Sequence, residues 1–435
     1  MKRELFKKTL TVGCVLGLAG MLAGCGSSAE TASAASSSTE TESASDSVTI
    51  TFQQWWEPEL PEGALQEICN RFTAESGINV ELVSSAYADA QNEIWSTAAQ
   101  GHMADVVGLD GSWVYDFAAL YSIENLTDLM NEYGMDDSQL TNQVQVDGQT
   151  YMIPVVNFSY PLYVNTDILA EAGVEKIPET WSEFMDALQK IQDNTDAAGY
   201  ALPLHEDNTL GIQHQTVAWL WAAGGSFLTE GKVDLEGNSV LTELITMFDT
   251  MDDNGYLAEG MSELTESEMI RQFENGELAF MVDSAAHLNT IKEANPELNF
   301  TYAAIPAMDG YTGERGADVA NWGIGVGSNS HYKEESIAFI EYLMSPEVNA
   351  ELAALANAFP GNAEAEPDYS ENDELFRIAY EIFEAQVPVN EFTGLPYADK
   401  MMKQFRNDLI GLYEGSYSDA SQMLAKLQSQ WEKEV

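Results

Sequence analysis

The sequence predicts an α/β protein with two domains behind an export leader, and three observations predict it. The folded body opens in the order strand, helix, strand, helix, strand. It runs to roughly 390 residues, enough for two substantial cores. Residues 1–46 read as leader and tether rather than as fold.

Lys2, Arg3, Lys7 and Lys8 give a positive start, and residues 9–22 form an apolar run too short for a comfortable membrane span, the pattern of an export signal. The run ends in Leu22-Ala23-Gly24-Cys25, which looks like a bacterial lipobox. On that reading 1–24 is a lipoprotein signal peptide, and Cys25 takes a diacylglyceryl thioether and becomes the new N-terminus. Each buried methylene of a palmitate-type acyl chain contributes about 0.8 kcal/mol, so two or more chains hold the protein stably on the bilayer at the outer face of the cell membrane. A plain secretory signal with a chance cysteine is the alternative. Residues 25–46 are mostly Ser, Ala, Thr and Glu with no aromatic, so they cannot bury enough apolar surface to offset ordering entropy. They predict a disordered tether.

Seventy-one acidic against 18 basic residues give a net charge of -53. That field repels nucleic acid and anionic lipid and disfavours anionic ligands, leaving neutral or cationic ones. Of three cysteines, Cys14 leaves with the signal and Cys25 carries lipid, so Cys69 has no partner for an internal disulfide.

Each element of the body has its own signal. Val48, Ile50 and Phe52 alternate with polar residues as a strand with one buried face. Trp55 and Trp56 follow, and adjacent strand residues point to opposite faces, so at most one continues the row of Phe52. Either one packs inward while the other floors a cleft with Glu57 nearby as an acceptor, or both cover the top of the sheet. Leu65, Ile68 and Phe72 mark a helix over 61–76 closed by Gly77. Ile78, Val80 and Leu82 mark a second strand, and "ADVVGLD" is a short, continuously apolar third strand suited to a parallel sheet covered on both faces. Ligands of such sheets bind beyond the carboxyl ends of the strands. The tryptophan pair and Asp110 lie at two such ends.

Farther along, Thr180 to Glu183 form a capping box for a helix burying Phe184, Leu188 and Ile191, with Trp181 as core. Trp219 and Trp221 stand two apart on a helix and cannot share one face, which puts one in the core and leaves the other for a cleft. The glycines of "NWGIGVG" around Trp322 permit close backbone approach. Trp431 shares a core face with Leu424 and Leu427.

Catalytic motifs are missing from the sequence. The five histidines include no pair at i and i+3 or i+4, there is no GxSxG elbow, and "GIGVG" has the spacing of neither a dinucleotide loop nor a P-loop. No carboxylate pair is singled out as that of a glycosidase. A binding protein with no cofactor, no metal and no catalytic residue is the expectation, not an enzyme.

Several spaced motifs resemble the extracellular solute-binding proteins of family 1, which serve sugar-type ABC importers and include maltose-binding protein. They are "VTITFQQWWEP", "GHMADVVGLD", "VDGQTYMIPVVNFSYPLYVNTDILAEAG", "FENGELAFMVDSAAHL", "NFTYAAIPAMDG", "VANWGIGVGSNSHYKEESIAFIEYLMSPE" and "NAFPGN", in the family order across nearly the whole body. The resemblance implies a two-lobed, periplasmic-binding-protein-like fold of type II, each lobe a sheet covered by helices, with hinge crossings near 155–158, 319–322 and 360–367. The lobes would be 47–156 plus 323–365 and 157–322 plus 366–435. A monomer would close around a small molecule, a sugar and in particular an oligosaccharide, for delivery to ABC permease subunits. Sugars need aromatic platforms beside polar donors and acceptors. The candidate ligand residues are therefore Trp55, Trp56, Glu57, Asp110, Trp113, Tyr160, Trp219, Trp221, Asp283 and Trp322. After Asp283-Ser284, where the family commonly carries an aromatic, this sequence has His287 and no Trp. An aromatic cage with acids would equally suit a polyamine or quaternary amine. A surface glycan-acting enzyme is the remaining alternative.

Overall fold

The structure, a computed structural model, describes residues 48–206, 212–229, 231–370, 372, 374–389 and 391–433. The signal peptide, Cys25 and the tether lie outside the described residues. In β1 (Thr49–Gln54), Ile50 and Phe52 are buried while Thr49 faces solvent, as the alternation requires. The helix Ala64–Ser76 turns Leu65, Ile68 and Phe72 inward, and Gly77 closes it at φ 77°, its N–H donating to the Thr73 carbonyl. β2 (Asn79–Ser84) and β3 (Val106–Leu109) flank β1 on either side, both parallel to it.

The same sheet takes in β4 (Val144–Val146) and the eleven-residue β5 (Gln149–Ser159). A second sheet is built from β6 (Leu162–Asn165) and β7 (Ala198–Tyr200). A small hairpin, β8 (Leu228–Thr229) and β9 (Lys232–Val233), precedes the remaining strands of that sheet, β10 (Leu278–Val282) and β11 (Phe300–Ala303). The chain then returns through β12 (Gly316–Val326), followed by β13 (Phe359–Pro360) and β14 (Val387–Val389). The first sheet has the order β13-β5-β12-β3-β1-β2, with β4 on β5 and β14 on β12; the second has the order β11-β6-β10-β7.

In the first sheet the three opening strands are mutually parallel, and β14 runs parallel to β12. β12 runs antiparallel to both β3 and β5, so the sheet is mixed where the local sequence pattern suggested a parallel one. The reason is topological: β5 and β12 carry the chain out of the first lobe and back, and a return strand must run in the opposite direction.

Two main apolar cores result. One gathers Ile50, Phe52, Trp56, Val107 and Phe117 with Trp322 and Phe339; the other gathers Phe184, Trp219, Phe248, Phe280, Phe405 and Trp431. β5 and β12 pass between them. At the crossing Gly361 donates its N–H to the Val155 carbonyl at 2.9 Å, and a Cβ on Gly361 would land on the Pro154 carbonyl, so only glycine fits. Among the described residues no helix is long and apolar enough to cross a membrane.

Candidate functional site

A cavity of about 260 Å³ opens where the two cores meet. Its first wall comes from the carboxyl ends of the parallel strands. Trp55 follows β1, Tyr87 starts the helix after β2, and Asp110 follows β3. Its second wall comes from Tyr160, His214, Glu266 and His287, and its floor from Phe158, Asn321 and Trp322 on the two long strands.

The tryptophan pair divides as a strand divides its faces. Trp56 continues the buried row of Phe52, fully covered, stacked on Trp322 at 5.4 Å and 7° and edge-on to Phe52 at 5.1 Å. Trp55 points the other way, lying beside Tyr87 at 5.2 Å and Trp113 at 5.4 Å, and it lines the cavity. Gly108 makes room: a Cβ there would stand 3.3 Å from the Trp55 ring and from the Gln54 backbone.

Asp110 is fixed by three donors. Its Oδ1 accepts from the Ser112 N–H at 2.9 Å and the Ser112 hydroxyl at 2.8 Å, and its Oδ2 accepts from the Tyr87 hydroxyl at 3.2 Å. Burial, then the Asp110 charge, raises Tyr87 well above the ordinary phenol range.

Several candidates stand outside the cavity lining. Glu57 ties the rim together by accepting from the Ser84 hydroxyl. The turn Glu57–Glu59 that follows is a 3-10 helix, and it carries Glu59 to the cavity in place of Glu57. Trp113 stacks behind Tyr87 at 5.7 Å and 18°. Trp219 and Trp221 are both core: the Trp219 indole donates to the Tyr200 hydroxyl at 2.9 Å and the Trp221 indole donates to Glu391 Oε2 at 2.7 Å. The helix bearing them is enclosed on both sides, because the segment around Phe392 covers the face left open in the sequence reading. Asp283 is fully buried and lies behind His287 rather than on the lining.

Two histidines not among the sequence candidates enter the cavity, each backed by a buried acid. His287 Nδ1 stands 2.8 Å from Asp283 Oδ2, and His214 Nδ1 stands 2.5 Å from Asp318 Oδ2. His214 belongs to a π-helical turn, Gln213–Val217, a geometry that recurs at functional sites, and Tyr160 stacks on its ring at 4.4 Å and 14°. Burial alone would pull both imidazoles down. The hydrogen-bonded carboxylates outweigh it and hold His287 up at about 10 and His214 at about 8. Enclosure by the cavity walls pushes the Glu59 carboxyl up to about 7, although its outer edge stays exposed, against the opposing pull of His287 and a hydrogen bond from Trp322. Glu266 is also raised, by burial first and then by Asp283, and its Oε1 accepts from Gln215 Nε2 at 3.1 Å.

The described residues contain no group of three His, Cys, Asp or Glu side chains placed to hold a metal. Aromatic faces set among carboxylates and imidazoles can stack on apolar C–H surfaces and exchange hydrogen bonds with hydroxyls or amines.

Two lobes joined by shared strands, with a polar and aromatic cavity between them, define a two-lobed binding protein. Residues 67–377 match the family described as bacterial extracellular solute-binding protein, and the chain belongs to that family. A binding protein of Brucella abortus is 25% identical over 313 residues, 71% of this chain and 75% of that one. The diacetylchitobiose-binding protein of Streptomyces coelicolor is 24% identical over 207 residues, 47% of this chain and 46% of that one. Among solved structures, the GacH receptor of Streptomyces glaucescens, known unliganded and with acarbose, superposes with a TM-score of 0.74 at 20% identity, covering 89% of this chain and 98% of that chain. At that identity the likeness shows the fold.

Proposed function

We propose that this protein captures a carbohydrate between its lobes and delivers it to an ABC importer, working as a monomer held on the outer face of the membrane through acylated Cys25. The observation that carries the reading is the cavity itself. Trp55, Tyr87, Tyr160 and Trp322 bring aromatic surface from both lobes and the long strands to one place beside Asp110, Glu59 and Glu266. A relative named for binding diacetylchitobiose and, at the level of fold, a receptor known in complex with acarbose support a sugar. Ligand contacts are assigned to Trp55, Tyr160, Asp110 and Trp322. Trp56, Glu57, Trp113, Trp219, Trp221 and Asp283 act behind them as packing or support.

A cationic small molecule such as a polyamine or quaternary amine is the second reading, favoured by the absence of Lys and Arg among the residues lining the cavity. A thermal-shift screen of neutral sugars against polyamines and betaines tests the first against the second. A ligand at 100 times its Kd stabilises the folded protein by about 2.7 kcal/mol. A sugar that produces the shift and is recovered chemically intact supports capture without catalysis. Shifts from amines alone overturn the carbohydrate reading, and turnover of the sugar overturns the non-enzymatic one.

A further inference from the structure

We propose that the carbohydrate carries a protonated amine, and that Glu59 and Glu266 from opposite lobes, with Asp110, receive it. This rests on the carbohydrate reading and narrows its substrate class to amino sugars.

The argument starts from the charges around the cavity. Among the described residues, five ionisable carboxylate and imidazole groups line it: Glu59, Asp110, His214, Glu266 and His287. Each imidazole already has its counter-ion, because Asp318 behind His214 and Asp283 behind His287 have fully covered side chains and make direct contact with the rings. Tyr87 and Tyr160, the other titratable groups on the lining, stay protonated. Among the described residues, three carboxylates are left facing the cavity, and no lysine or arginine lines it. His287 offsets part of the charge on Glu59 and, with His214, part of that on Glu266; because Asp283 and Asp318 already match the two imidazoles, acid remains in excess, and an ammonium is the complementary group.

A second observation points to a donor-rich ligand at the same place. Asn321 is only 6% exposed and lines the cavity, yet its Oδ1 accepts no hydrogen bond among the described residues. It also shares with Asp110 the wall of a narrow extension of the cavity, where the similarly buried Gln213 Oε1 is another acceptor without a partner. A buried acceptor left open is costly, and a ligand N–H or O–H would recover that cost. An ammonium offers three such donors.

Glu59 and Glu266 carry the discriminating prediction. Burial favours the protonated form of Glu266, and less strongly that of the more exposed Glu59, so an incoming ammonium displaces a proton: the carboxyl gives up its hydrogen to solvent and the carboxylate pairs with the amine. A neutral sugar has no such effect. Calorimetric titration at pH 6, where the sugar amine is already protonated and takes up little further proton on binding, in two buffers of unequal ionisation enthalpy reads both affinity and proton release. The probes are the β-1,4-linked disaccharide of glucosamine, its N,N'-diacetyl counterpart and the corresponding glucose disaccharide. The amine is expected to bind at least tenfold tighter than either neutral probe and to release a measurable fraction of a proton. In Glu266→Gln and Glu59→Gln, each checked for an intact thermal transition, that preference is expected to shrink. Equal or tighter binding of a neutral probe, no proton release, or an unchanged preference in both variants overturns the inference while the carbohydrate reading stands. If none of the three binds but another neutral sugar does, the inference alone falls. If no carbohydrate binds, both fall.

Discussion

Truncating Trp55 and Trp56 in turn separates a ligand platform from a core support at adjacent positions. Trp56 is fully covered and wedged between Phe52 and Trp322, so Trp56→Ala removes a large ring from a site with no solvent to refill it. Such changes cost about 3–5 kcal/mol. With an unfolding entropy of about 2.1 cal/mol/K per residue over the folded body, that corresponds to a Tm drop of about 4–6 °C. Trp55 packs on Tyr87 and Trp113 but borders the cavity, so water can enter the space that Trp55→Ala leaves, and the stability loss is smaller. Its larger effect is on ligand, about 1–3 kcal/mol of lost apolar contact, or roughly tenfold to a hundredfold in affinity. The assay is scanning calorimetry of each ligand-free variant followed by titration with the sugar identified in the thermal-shift screen. Trp55→Ala binding as tightly as the parent while Trp56→Ala keeps the parental Tm would refute the division of faces.

Three further outcomes are expected, two from the geometry and one from the sequence. His287 is held at about 10 against an ordinary 6.5, so the folded state keeps a proton that the unfolded chain loses between those values, and His214 does the same up to about 8. That stabilisation is complete below about pH 6.5 and is lost as pH rises to about 10; Tm should fall across the window and fall less in His287→Gln, and a flat or rising parental profile contradicts the assignment. Gly361→Ala drives a methyl into the Pro154 carbonyl at the crossing between lobes and is expected to cost about 1–3 kcal/mol, read by thermal denaturation; an unchanged Tm shows the crossing is looser than described. Cys25→Ser, expressed in the native host, should release the protein to the medium without acyl mass, and unchanged membrane retention and mass count against the lipid anchor.

Most of the first lobe's contribution to the site was legible because it depends on local rules. Strand alternation puts Trp55 and Trp56 on opposite faces, and the carboxyl ends of parallel strands mark where Asp110 must open into a crevice. What escaped was set by contacts distant in sequence or by a change of helical type. His214 meets Asp318 across 104 positions, so nothing near either residue announces the pair. Asp283 and His287, four apart, do leave a local trace, but an acid four residues before a histidine is common where no site exists. Glu59 replaces Glu57 because the chain turns tightly after Trp56, and a rule for extended strands does not follow that turn. One of Trp219 and Trp221 was expected to face a cleft, but Glu391 and Phe392 arrive from about 170 residues away and cover Trp221.

The position of the floor residues ties binding to movement. Asn321 and Trp322 sit midway along β12, whose first residues pair with β14 and whose last pair with β3, so the strand that lines the cavity also joins the two cores. The register of β12 against β5 shifts between Trp322 and Gly323, at the one point where a strand of this sheet both lines the cavity and departs from regular pairing. A ligand changes the balance between open and closed lobes only through interactions that differ between the two states. If the lobes close as proposed, contacts to Trp322 and Asn321 would change with the angle at this bulge, and contacts to Glu59 and Glu266 with the gap between the walls. A ligand that engages only one wall could bind tightly and still leave the lobes where they were, so the groups that reach both walls, more than total affinity, decide whether capture closes the protein.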